Sequence, residues 1–76
     1  MMLTDLKIGE KARIVCMTSG GEKAYRQKLL SLGLTPGTEL KIERRAPWGD
    51  PVEIAVRGYA LSLRLKEAHI LKVERI

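Results

Sequence analysis

Apolar and polar positions alternate through most of this chain, and the spacing becomes helical only once. Lys11-Ala12-Arg13-Ile14-Val15-Cys16-Met17-Thr18 is a β-branched run with partial alternation, which predicts a first strand. Tyr25, Leu29 and Leu32 then fall at i, i+4 and i+7, with Lys23, Arg26, Gln27 and Lys28 on other faces, so a helix is expected from about Gly20 to Leu32. Ser19-Gly20-Gly21-Glu22 has the S-x-x-E form of a capping box at its start. At its end Gly33 suits the left-handed residue after the last helical turn, and Leu34 is placed to fold back on Leu29. Thr35-Pro36-Gly37-Thr38 carries Pro at i+1 and Gly at i+2, the chemistry of a type II turn.

Beyond that turn the period of two returns. Leu40 and Ile42 alternate with Lys41, Glu43 and Arg45 in a second strand, and Arg44, in the inward phase, is expected past the end of the core. Ala46-Pro47-Trp48-Gly49-Asp50-Pro51 cannot continue a ladder, because its prolines lack the donor, and is predicted to be a protruding hairpin loop. Val52, Ile54 and Val56 form a third strand. Gly58-Tyr59 makes a tight connection to a fourth at Leu61, Leu63 and Leu65, with Arg57 and Arg64 facing outward. Lys66–His69 allows one helical turn, and residues 70–76 return to strand character. The expectation is a mainly β domain over residues 1–76: an SH3-like small antiparallel barrel of about five strands with one α-helix between strands 1 and 2.

Composition narrows this further. The chain has 76 residues. A fold of that size buries only about 60–65% of its unfolded surface, so the core is thin. Tyr25, Trp48 and Tyr59 are the whole aromatic complement, which leaves the core to Leu, Ile, Val and Ala. Cys16 alone cannot form an intramolecular disulfide, and nothing at the start resembles a signal peptide. No apolar run approaches the roughly 18 residues that a membrane-spanning helix needs. A cytoplasmic location is expected.

Arg26-Gln27-Lys28-Leu29-Leu30-Ser31-Leu32-Gly33-Leu34-Thr35-Pro36-Gly37, then Ala46-Pro47-Trp48-Gly49-Asp50-Pro51, Val56-Arg57-Gly58, Leu61-Ser62-Leu63-Arg64 and Glu67-Ala68 follow one another in the order and spacing that resembles the FeoA family. That family is the small protein of the bacterial ferrous iron transport system. Each piece alone is a generic turn or strand; the set is specific and covers nearly the whole chain. The chain departs from the family's frequent proline at Ile8. It is also similar to the SH3-like C-terminal domain of iron-dependent repressors, but carries no helix-turn-helix or metal-binding portion. The resemblance implies a cytoplasmic accessory to a large ferrous iron permease with a GTP-binding domain, without implying that this chain itself holds iron or GTP.

Ferrous sites combine imidazole with carboxylate, and clusters need several thiolates. His69 and Cys16 are the only residues of those two kinds, so a turn histidine and a strand cysteine are expected, with no tight metal site and no cofactor. No G-x-x-x-x-G-K-[ST] is present, and one histidine cannot supply a catalytic triad, so no enzyme is expected.

The net charge of +5 leaves two classes of partner. Arg44, Arg45, Arg57, Arg64 and Lys66 on nearby strands suit RNA or DNA phosphates. Glu39, Glu43, Glu53, Glu67 and Glu74 are interleaved with them, however, and Trp48 is the lone stacking platform, which disfavours nucleic acid. An acidic protein surface suits the mixed charge better. Trp48, held between two prolines, is either a lid folded over the barrel end or an exposed anchor for the permease, with Arg45, Arg57 and Arg64 as accompanying contacts. Leu29, Leu32, Gly33, Leu34, Pro36, Gly37, Gly49, Asp50, Pro51 and Gly58 are read as structural. Oligomeric state is not legible.

Overall fold

The period of two builds the sheet, and the helical segment after the first strand packs on the same core through Leu29. A computed structural model describes residues 1–18 and 23–76. Five strands, β1 (Lys11–Met17), β2 (Glu39–Arg45), β3 (Val52–Val56), β4 (Tyr59–Leu63) and β5 (Leu71–Arg75), form one antiparallel sheet in the order β4-β3-β2-β1-β5. α1 (Lys23–Ser31) lies between β1 and β2, and the one-turn helix α2 (Leu65–Ala68) between β4 and β5. The inward positions Ala12, Ile14, Leu40, Ile42, Val52, Ile54, Val56, Leu63, Leu71 and Val73 are all buried, and Leu3, Leu6, Leu29, Leu34, Ala68 and Ile70 complete the cluster. Each fully buried Leu, Ile or Val contributes about 1.5–3 kcal/mol relative to an exposed one, so this single aliphatic cluster is the main favourable term in folding.

The joint between α1 and β2 has the expected geometry. Gly33 has φ +89°, the Leu34 N–H donates to the Leu29 carbonyl at 3.0 Å, and the Gly33 N–H donates to the Leu30 carbonyl at 3.0 Å. These are the paired bonds of a Schellman ending, and Leu29 and Leu34 meet in the core. Gly37, with φ +91°, completes the turn through the bond from Thr38 N–H to the Thr35 carbonyl at 3.1 Å. The turn is docked on β1 by Gly37 N–H to Ile14 O at 2.7 Å and Ile14 N–H to Thr38 O at 2.9 Å. Helix and barrel are therefore locked together by the backbone of this joint. Leu32 packs against the core from the cap, just beyond the end of α1. The expected capping box at Ser19–Glu22 and the expected helix start at Gly20 lie outside the described residues.

Three expectations need correction. In β2 the register passes from Ile42 opposite Ile54 to Arg44 opposite Glu53, which leaves Glu43 as the extra residue of a β-bulge. The bulge reverses the phase. Arg44 faces out and pairs with Glu53 at 3.2 Å, whereas Arg45, expected to face outward, turns in and donates through Nη2 to the carbonyls of Thr4 and Leu6. Leu65 was expected in the fourth strand; Leu63 opposite Val52 is the last rung of β4, and Leu65 instead opens α2. Finally, Tyr59 belongs to β4 rather than to the connection. The hairpin loop is Arg57-Gly58, with φ of +48° and +87°. Two positive angles in succession are the mark of a type I′ turn.

Candidate functional site: the 46–51 loop and the cleft beneath it

The loop joining β2 to β3 holds its shape through its own backbone. Ala46 N–H donates to Pro51 O at 3.1 Å and Gly49 N–H to Ala46 O at 2.7 Å. Asp50 Oδ1 then accepts the Leu65 N–H at 3.1 Å, which fastens the loop to the first residue of α2. Trp48, at the turn between these bonds, is 90% exposed. An indole with that exposure covers nothing, so the lid reading is set aside: the side chain projects from a braced loop into solvent.

The same end of the sheet holds an open cleft of about 310 Å³ lined by Tyr25, Lys28, Asp50, Arg64, Lys66 and Glu67. Its floor is an ion pair. Glu67 is 2% exposed; its Oε1 accepts the Arg64 N–H at 3.0 Å and its Oε2 lies 2.7 Å from Lys28 Nζ. Burial is the largest single influence on the Glu67 carboxyl and acts to raise its pKa. The bond from Lys28, the Arg64 amide and the positive charges of both residues together outweigh it, so the group is held below the ordinary carboxylate value and stays ionised. Both carboxylates of the cleft are thus committed to the protein's own donors. Arg64 and Lys66 are exposed and form no ion pair with any carboxylate of the described residues.

The four residues expected to form one partner surface do not converge. Trp48 and Arg64 lie at the same end, since the Arg64 neighbour Leu63 pairs with Val52 and the Asp50 carboxylate touches the residue after Arg64. Arg57 sits at the opposite end of β3, in the β3–β4 hairpin, where its Nη2 lies 3.4 Å from Thr38 Oγ1. Arg45 is taken up by the carbonyls of Thr4 and Leu6, and so it does not flank Trp48 at the surface. Of the cleft residues, Lys66 was expected only as a phosphate contact in the nucleic-acid reading, and Tyr25, Lys28 and Glu67 were not expected as contacts at all. Their signal was present in part, as basic positions on a helix whose apolar stripe includes Tyr25, but nothing local says that Lys28 crosses to Glu67.

Gly49 and Pro51 belong to the braced loop, and Gly58 to the far hairpin. His69 is the exposed residue after α2, and Cys16 is an exposed residue of β1. Among the described residues no three His, Cys, Asp or Glu side chains are grouped so as to hold a metal ion, and no helix is long and apolar enough to cross a membrane.

Fold and cleft define the class: a mainly β, SH3-like module with a helix inserted after the first strand and a braced aromatic loop at one end. The family model of the FeoA domain matches residues 1–75, and the chain belongs to that family. Over all 76 residues it is 33% identical to the Fe(2+) transport protein A/Fe(2+) transporter FeoB fusion protein of Porphyromonas gingivalis, of which it spans 9%. Among solved structures, the FeoA-like protein of Clostridium acetobutylicum superposes with a TM-score of 0.89 at 37% identity, covering 100% of this chain and 86% of that one. The Stenotrophomonas maltophilia FeoA, an SH3 domain protein solved in complex with zinc, gives 0.83 at 25% identity over 97% of this chain and 89% of that one. The expected repressor likeness is also found: IdeR of T. acidophilum gives 0.87 at 25% identity, covering 100% of this chain and 34% of that one.

Proposed function

We propose that this chain is a non-catalytic, cytoplasmic accessory of ferrous iron uptake that docks on the GTP-binding cytoplasmic part of the membrane ferrous iron permease. The observation that carries this reading is the P. gingivalis relative, in which a segment like this one and the transporter FeoB form a single polypeptide. Covalent fusion keeps two partners at the high effective concentration that separate chains must reach by binding. The surface supports the same reading. A tryptophan presented on a hydrogen-bonded loop loses little conformational entropy when it is buried in a partner, the condition under which an aromatic side chain becomes a dominant contact.

The test is co-purification of the detergent-solubilised permease with this chain at physiological salt, beside an electrophoretic shift assay with RNA and DNA. Capture of the permease without a nucleic-acid shift is the expected outcome. A salt-sensitive micromolar shift with no capture of the permease would replace docking by nucleic-acid binding through the basic strands.

A further inference from the structure

Three cations and two carboxylates line the cleft below the 46–51 loop, but they are not equivalent. Asp50 is held by the Leu65 amide, and Glu67 by Lys28 and the Arg64 amide. This leaves Arg64 and Lys66 exposed in the lining, beside the half-buried Tyr25, with no carboxylate within ion-pair distance among the described residues.

We propose that this cleft is a carboxylate-binding subsite, and that it receives an acidic peptide segment of the protein on which the chain docks. Arg64 offers a planar fork that matches a carboxylate, Lys66 adds a second positive charge, and the half-buried Tyr25 gives the residue beside the acid a flat apolar wall. The charge balance selects the ligand. Glu67 is kept ionised on the floor of the cleft and Asp50 stands beside it, so three cations against two carboxylates leave a single net positive charge. That suits a monoanionic carboxylate and disfavours the dianion of a phosphate monoester. Continuity supports the same occupant, because Asp50 of the cleft and the exposed Trp48 belong to one loop, and a single extended segment can place an acidic residue in the cleft and an apolar one on the indole. The choice of a protein as ligand rests on the docking reading above; the chemistry of the cleft does not.

The test is an NMR titration of the isotopically labelled full chain with three probes in low salt: an end-blocked tetraglutamate peptide, inorganic phosphate, and a short single-stranded RNA. Expected are saturable shifts at Tyr25, Arg64 and Lys66 with tetraglutamate that fade as salt is added, and smaller ones with phosphate and RNA. The double charge reversal Arg64→Glu/Lys66→Glu should weaken the peptide at least tenfold, whereas Arg57→Glu, at the other end of β3, should leave it unchanged. Arg64→Gln, which adds no new charge, guards against a misfolded reversal and should weaken binding with a parent-like spectrum. Equal or larger shifts with phosphate or RNA, peptide binding indifferent to Arg64→Gln and to the double reversal, or no saturable shift would each overturn the proposal. Failure of docking itself has a different signature, namely peptide binding retained by a chain that does not capture the permease.

Discussion

Gly33 is the position at which one added methyl group should cost most. Its φ of +89° lies in the left-handed region. An L-residue occupies that region at a cost of about 1–2 kcal/mol. A Cβ there would also stand 3.1 Å from the Tyr59 hydroxyl, which donates to the Leu32 carbonyl at 2.7 Å. The tyrosine is exposed and has room to move, but only by giving up that bond. A hydrogen bond of this kind is worth about 0.5–1.5 kcal/mol. Gly33→Ala should therefore destabilise by about 2–3 kcal/mol. Gly37 is the internal control: its φ is +91°, yet an added Cβ meets nothing within 4 Å. Gly37→Ala should cost only the backbone part, about 1–2 kcal/mol. At about 4–8 °C per kcal/mol for a domain of this size, the two variants should melt about 4–8 °C apart. A double-mutant cycle with Tyr59→Phe isolates the contact, and the extra cost at Gly33 should vanish once the hydroxyl is gone. Urea and thermal melts of the parent and the single and double variants suffice. Equal losses at Gly33 and Gly37 would refute the Tyr59 contact, and a neutral Gly33→Ala would refute the left-handed helix ending altogether.

Leu29 is fully buried beneath that ending. Leu29→Ala should cost about 2–4 kcal/mol in a denaturant melt. Glu67→Gln should cost about 1 kcal/mol at neutral pH by weakening the contact with Lys28, whose amine remains solvated. The folded Glu67 carboxyl lies below its ordinary value of 4.5, so its contribution is present above that pH and is lost as pH falls through the lowered value. In acid melts the gap between parent and Glu67→Gln should be constant above about pH 5.5 and close as the pH falls further. Anaerobic titration of the tag-free chain with ferrous ion should show no site tighter than about 10 μM, since one imidazole or one thiolate does not assemble the mixed ligand set of a ferrous site. A tighter isotherm lost in His69→Ala would contradict this.

The helix-to-strand joint was legible in the sequence because glycine and proline act on the backbone directly: Gly33 and Gly37 take the positive φ values that the pattern requires whatever the tertiary context. Strand alternation identified the buried face of β3 correctly, since Val52, Ile54 and Val56 run without interruption. In β2 it failed after Ile42, because a period of two cannot show an inserted residue, and the bulge at Glu43 moved Arg45 from the surface to the carbonyls of Thr4 and Leu6. The separation of Trp48 from Arg57 follows from the length of β3, which lies between them. At about 3.3 Å per residue such a strand spans roughly 16 Å. What local pattern could not supply was the exposure of Trp48 or the burial of Glu67. Both depend on which elements meet at that end of the sheet, and Glu67 is sustained by Lys28, remote in the chain on α1.

The most direct test of the docking account is the affinity of the Trp48→Ala variant for the solubilised permease, measured beside its melting temperature. The indole contributes almost nothing to the core at 90% exposure. The variant should therefore melt within about 2 °C of the parent. If Trp48 is the anchor, the same variant should bind the permease at least about 30-fold more weakly, a loss of about 2 kcal/mol. A variant that binds as tightly as the parent, with its fold intact, would contradict docking through this loop.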